Sequence, residues 1–227
     1  MRTDRRGNAL IVPGVLLILA AMALTAYNLW DEAQAAQAAD QALTLIMQEL
    51  PTVSAPTTDE PTPDTPTFDA PGSDVPLPSM DEVEIPNYIL NPEMDMPQQT
   101  VDGLSYIGIL EIPALNLSLP IISQWSSSAS KTAPCRYVGS AYTNDLVIAG
   151  HNYRSHFANL KNVPEGSPVY FTDMDGNRFE YRVAVIETLH GTDVEAMTGG
   201  GWDLSLFTCT MNGQYRATVR CNLTSPR

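Results

Sequence analysis

The chain has 227 residues, three cysteines and a formal net charge of −14. That length accommodates one ordinary domain with appendages, and no basic patch with interleaved aromatics points to nucleic acid as a partner. The acidity is local: between Arg6 and Lys131 there are sixteen Asp and Glu and no Lys or Arg, whereas Lys131 to Arg227 carries nine of each sign, so the charge says nothing about a substrate pocket.

The N-terminus reads MRTDRRGN followed by ALIVPGVLLILAAMALTAYNL. Ala9–Leu29 is uncharged, mostly apolar and long enough to cross ~30 Å of hydrocarbon as a helix. Tyr27 and Trp30 stand at its far end, where amphipathic aromatics favour the interface. Arg2, Arg5 and Arg6 are then expected in the cytoplasm and everything after Trp30 outside, as in a single-pass cell-membrane anchor. A cleaved signal peptide is the alternative, with small-residue cleavage sites in AQAAQAA (Ala33–Ala39). Its apolar region would exceed the roughly 7–15 residues usual for such a peptide.

Residues 31–50 are rich in helix formers and begin with an acidic pair, which predicts a juxtamembrane helix. Composition then changes: residues 51–99 hold eleven prolines and no positive charge. Such a segment buries little apolar surface and repels itself, so it is expected to be an extended, disordered spacer.

A folded unit is expected over 100–227. SYIGILEIPALNLSLPII (Ser105–Ile122) reads as two strands broken by Pro113. DLVIAGHN (Asp145–Asn152) is an apolar strand ending in Gly-His-Asn, and SHFANLKNV (Ser155–Val163) has a helical look. PVYFTDMDGNRFEYRVAVIETL (Pro168–Leu189) alternates and turns at Asp175–Gly176, a hairpin signal. LSLFTCTMNGQYRATVRCNL (Leu204–Leu223) is a second hairpin. Seven or eight short strands with few helices predict an all-β barrel or sandwich.

Cys135, Cys209 and Cys221 are an odd number of thiols in a domain expected outside the membrane, which leaves at least one unpaired unless chains pair with each other. A Cys135–Cys221 bridge with Cys209 free is one arrangement, without support from spacing. A nucleophilic thiol needs a nearby imidazole and a group to stabilise an oxyanion. His151 follows LVIAG at a strand end, at the rim of a barrel. His156, beside Phe157 and Leu160, reads as a packing or solvated residue, and His190 as a loop residue. Arg216, Thr218 and Arg220 alternate with Ala217 and Val219, so one strand face is polar. A hairpin register can bring Arg216 beside Cys209, although a solvated polar face explains these arginines equally well.

SLFTC (Ser205–Cys209), with Arg216 seven residues later on the next strand, resembles the sortase signature, a Thr-Leu-x-Thr-Cys segment with a downstream Arg. LVIAGHN carries the matching histidine, and the resemblance extends over roughly Ser105–Leu223. Ser205 replaces the usual first Thr, and Arg220 is a second candidate arginine; Arg216 is favoured because the family arginine opens the final strand. The ending RATVRC has a class B flavour, while the short Ile186–Trp202 connection gives little sign of the large inserted helix of some class B members.

The resemblance implies a closed eight-stranded sortase-type β-barrel and a transpeptidase. Cys209 would form a thioacyl enzyme with a C-terminal sorting signal resembling LPXTG, and His151 would shuttle protons. Arg216 would bind the substrate carbonyl or oxyanion, with Thr208 and Asn152 as candidate substrate-site residues. The partners implied are surface proteins or pilins bearing that signal and an amine of the cell wall or a pilin. No metal or cofactor is expected. A hydrolytic cysteine peptidase with the same dyad and a non-catalytic, membrane-tethered β-barrel binding module are the competing readings. A zinc site from His151, Cys209 and another thiol lacks a closely spaced ligand pair.

Overall fold

A computed structural model of the chain describes residues 5–50 and 85–224. Most of the expected spacer, 51–84, lies outside these residues, as does Arg2.

The first element is one uninterrupted helix, α1 (Arg5–Glu49). Its two halves meet different surroundings. Leu16, Leu17, Ile18, Leu24 and Leu29 are 60–73% exposed and touch no protein core, which suits a helix long and apolar enough to cross a membrane. Beyond Asp31, Ala35, Ala39, Ala42 and Ile46 are buried. Their spacing places them on one helix face, and the small alanines let the helix lie close against the domain.

The domain is a closed eight-stranded β-barrel, as the resemblance implied. Its strands are β2 (Leu104–Ile112), β3 (Leu117–Ile122), β4 (Cys135–Val138), β5 (Leu146–Gly150), β6 (Pro168–Asp173), β7 (Arg178–His190), β8 (Leu204–Cys209) and β9 (Tyr215–Leu223). The order β2-β3-β4-β5-β8-β9-β7-β6 closes through a β2–β6 pairing, so no barrel edge is left to template aggregation. A short ninth strand, β1 (Gln99–Val101), adds to the start of β2. Pro113 ends β2 as expected, within a 3-10 turn over Pro113–Leu115.

The hairpin turn at Asp175–Gly176 has Gly176 at φ +84°, a conformation glycine adopts without a Cβ penalty. Buried Asp173 organises it, accepting from the backbone N–H groups of Asp175 and Asn177 and from the Tyr142 hydroxyl. SHFANLKNV is not an α-helix: it forms turns and a 3-10 segment at Leu160–Asn162, because Phe157 and Leu160 are drawn into the core while the run is too short to repay helix nucleation. Residues 85–98, read as the end of the spacer, include α2 (Asn87–Leu90). There Tyr88 stacks on Tyr142 with ring centroids 4.7 Å apart, and Met96 is buried.

Three apolar layers follow from strand alternation. Leu110, Ile148, Phe171, Leu206 and Val219 belong to the barrel interior. Tyr106, Ile109, Ile122 and Cys135 form a second cluster with Ala42 and Ile46 of α1. Val147, Ala149 and Phe207 form a third with Met197, which belongs to the short helix α3 (Val194–Thr198). All three cysteines are free. Cys135 lies in the α1 layer and Cys221 in the interior, so the contemplated bridge does not form. Burial pushes both thiols up to about 12, and they are inert core residues.

Candidate active site

Register assembles the site. β5 and β8 run parallel, with Gly150 paired to Thr208, so the next residues, His151 just past β5 and Cys209 at the end of β8, come side by side. β8 and β9 are antiparallel, with Cys209 paired to Arg216. His151, Cys209 and Arg216 thus form a row across three adjacent strand ends. Alternation puts Cys209 on the same outward face as Phe207, while Leu204 and Leu206 point into the barrel.

The three line a single cavity of about 270 Å³. Its apolar walls include Trp125, Tyr137, Phe207 and Met197. Trp125, Tyr137 and Phe207 pack edge to face, at 6.1 and 5.4 Å between successive centroids, a favourable quadrupole arrangement. Cys209 also borders a second cavity, of about 670 Å³, which includes Asn152, Thr208, Arg154, Lys161 and Glu32. The two remaining candidates, Thr208 and Asn152, therefore sit on the other side of the thiol from His151 and Arg216. Thr208 is buried with its hydroxyl oxygen lacking a hydrogen-bond partner.

The His151 imidazole is half-buried. Its Nε2 lies 3.4 Å from Ser130 Oγ, and the Tyr153 ring stacks on it, 4.9 Å between centroids at 28°. Burial lowers its pKa and the Lys131 cation adds to this, while the Asp31 carboxylate opposes both. The strand end requires Gly150: a Cβ there would come within 2.5 Å of the buried Phe157 ring.

The two arginines of β9 differ completely. Arg216 is half-exposed, and its Nη1 donates to the carbonyls of Gly213 and Tyr215 at 2.9 and 3.1 Å. A Cβ on Gly191 would lie 2.8 Å from that Nη1, so a glycine makes room for the guanidinium. Arg220 is 1% exposed. It donates to Glu187 Oε1 at 2.7 Å and to Met197 O and Ser205 Oγ at 2.8 Å, and to Ala196 O. It ties α3 to the barrel wall, and the face expected to be solvated is covered there. Ser205, which replaces the usual Thr, supplies one of its acceptors.

His156 is buried, its pKa pushed down to about 4 by burial and then by His151. His190 closes β7, not a loop, and its Nδ1 bonds Thr192. Residues that sequence reasoning missed are Trp125, Tyr137, Ser130 and Tyr153, which come from loops and a short strand without a local signal. Among the described residues no group of three or more His, Cys, Asp or Glu is arranged to hold a metal.

The sortase domain model matches residues 110–224. No curated protein matches the chain. Among solved structures, it is similar to sortase A from Corynebacterium diphtheriae, with 23% identity over 55% of this chain and 63% of that one and a TM-score of 0.48. It is also similar to Streptococcus agalactiae sortase C1 in its complex with MTSET, with 23% identity, coverage of 54% and 69%, and a TM-score of 0.46. A third is a Clostridium perfringens sortase D5 transpeptidase, with 19% identity, coverage of 53% and 79%, and a TM-score of 0.47. The match to the Corynebacterium protein spans less than two thirds of that protein. The domain match takes in β3 to β9, the strand ends that carry His151, Cys209 and Arg216, and just over half of the 227 residues; this chain belongs to the sortase family.

Proposed function

We propose that the chain is a membrane-anchored cysteine transpeptidase that cleaves a C-terminal sorting signal resembling LPXTG and joins the released protein to an amine. The observation that carries this reading is the row His151–Cys209–Arg216 across the ends of β5, β8 and β9, opening on one cavity.

Cys209 Sγ, as thiolate, attacks the carbonyl carbon of the scissile peptide. An S–C bond forms, and the carbonyl electrons move onto oxygen. Arg216 Nη1 is engaged by backbone carbonyls, which leaves Nε and Nη2 to face that oxyanion. A guanidinium stays charged and presents fixed donors, so it suits the task better than an ammonium. Collapse breaks the C–N bond, and protonated His151 gives its proton to the departing nitrogen. The thioacyl enzyme then meets an amine of the cell wall or a pilin. Neutral His151 takes the proton as nitrogen attacks, the new amide forms, and the thiolate leaves. The apolar cavity suits the aliphatic part of the signal, while Asn152 and Thr208 border the second cavity.

Ala9–Leu29 spans the membrane in this reading, with Arg2, Arg5 and Arg6 cytoplasmic and the barrel outside. Residues 51–84 connect α1 to the domain in this reading, and 85–99 pack onto the barrel.

The test is to incubate the full chain with a library of sorting-signal peptides plus triglycine or a diamine, followed by mass spectrometry. A Cys209 acyl-enzyme and an aminolysis product are expected. Free acid alone, with the amine in excess, would make the protein a peptidase, and no acyl-enzyme on any peptide would leave the binding-module reading.

A further inference from the structure

The proposed mechanism does not use a contact between residues 122 positions apart. The Tyr153 hydroxyl donates to Asp31 Oδ2 at 2.6 Å, and the Arg154 backbone N–H donates to Glu32 Oε1 at 2.6 Å. Both acceptors sit on α1, immediately after its exposed apolar half. Both donors sit on the loop that leaves His151. The helix therefore clamps this loop at two adjacent residues, and Glu32 itself borders the cavity on the Asn152 side of Cys209.

What the clamp holds is the catalytic imidazole. The Tyr153 ring lies nearly parallel to that of His151 at 4.9 Å and packs against His156 at 5.4 Å. Ser130 Oγ approaches the His151 Nε2, and the Phe157 N–H donates to the His151 carbonyl at 3.1 Å. The imidazole is thus set by a ring on one face and a hydroxyl at its edge, and the ring is itself set by a carboxylate of α1.

We propose that Asp31 and Tyr153 are positioning residues for His151, and that the start of the docked half of α1 is therefore part of the catalytic apparatus as well as the exit of an anchor. This rests on the transpeptidase reading of the site.

The electrostatics run the same way. The charged and titratable groups about His151 are Lys131 on the 3-10 turn, His156 and Tyr153 on its own loop, Cys209 and Arg216 on the neighbouring strand ends and Asp31 on α1. Lys131 disfavours the imidazolium, and burial does so most of all. Asp31 favours it. A phenol that donates to a carboxylate also presents a more electron-rich ring face to a cation. Asp31 and Tyr153 thus support the protonated imidazole, the form that delivers a proton to the leaving amine.

The test uses the full chain in nanodiscs with isotopically labelled histidine. His151 is titrated by NMR, and kcat and KM are measured against pH with a signal peptide and triglycine. Asp31→Asn keeps an acceptor and removes the charge, so the His151 titration should move to lower pH by about half a unit, and the alkaline limb of kcat should follow. Tyr153→Leu removes the ring and should lower kcat about tenfold with KM nearly unchanged. Tyr153→Phe, which keeps the ring and loses the hydroxyl, should fall between it and the parent. Gln41→Ala, on an exposed face of the same helix, should change nothing. An unmoved His151 titration in Asp31→Asn overturns the proposal, and so do kcat losses that track only melting temperature with no change of pH profile. The titration needs no turnover. A parent chain that makes no aminolysis product but shows the shift would refute the transpeptidase reading and uphold the coupling.

Discussion

Cys209 and Arg216 stand directly opposite each other at the turn end of the β8–β9 hairpin. The outward pairs behind them, Phe207 with Thr218 and Ser205 with Arg220, are buried, and α3 provides part of that cover. The same polar strand face thus carries two arginines of opposite character: one bound into the wall, the other at the mouth of a cavity.

Exchange of these arginines separates the two tasks. Arg216→Lys is expected to lower kcat/KM on the order of a hundredfold with the melting temperature unchanged, because a point charge replaces a fork at a half-exposed site. Arg220→Ala strands Glu187, Ser205 and two backbone carbonyls and should destabilise the barrel by about 3–5 kcal/mol. Peptide turnover and thermal unfolding of the two variants check this. The opposite pattern would transfer the proposed role to Arg220.

Gly191 and Gly150 test positioning. Gly191→Ala puts a methyl 2.8 Å from Arg216 Nη1 and 3.0 Å from the Gln214 carbonyl; the partly exposed guanidinium turns away, and the carbonyl at the turn gives by a few tenths of an ångström. The expected result is about tenfold lower kcat in a normally folded protein. Gly150→Ala meets the buried Phe157 ring, which has no room to yield. A stability loss of about 1–3 kcal/mol is expected, measured by chemical denaturation.

Lys131 offers a pH test. His151 is held below the ordinary histidine range by burial and then by Lys131, and the proposed acid step needs its protonated form. Activity governed by that form falls as pH rises through the His151 pKa. Lys131→Gln removes the opposing cation, raises that pKa and should move the alkaline limb of the kcat profile to higher pH. A limb displaced to lower pH would contradict the assignment of His151 as the acid.

His156 makes stability, and not activity, depend on pH. Its folded pKa is about 4 against 6.5 for an ordinary histidine, so between these limits the unfolded chain binds more protons than the folded one. Stability is fully present above pH ~6.5 and falls as pH drops toward ~4, by about 3 kcal/mol in all. Denaturant titrations across that window should show the slope, and His156→Asn should flatten it.

Much of this fold was legible because its signals are local. Pro113, the Asp175–Gly176 turn and the alternation in β6, β7 and β9 act over a few residues. The helical look of SHFANLKNV misled because its apolar spacing serves the barrel interior, not a helix face. β4 and α3 escaped notice because each is too short for periodicity to register. Trp125, Tyr137 and Ser130 have no local mark; they gain meaning through the β3–β4 and β4–β5 pairings that bring them to the cavity.

The apolar segment, the all-β domain and the thiol, imidazole and guanidinium at strand ends are all readable along the chain, since residue type and period 2 are properties of a stretch of chain. Which arginine faces Cys209, that Cys135 and Cys221 are core residues, and that α1 reaches back to Tyr153 follow from the folded arrangement alone. Strand register and helix docking depend on burying distant apolar surfaces together. Register selects Arg216 over Arg220 four residues away on the same face, and docking joins Asp31 to a loop 122 residues further on.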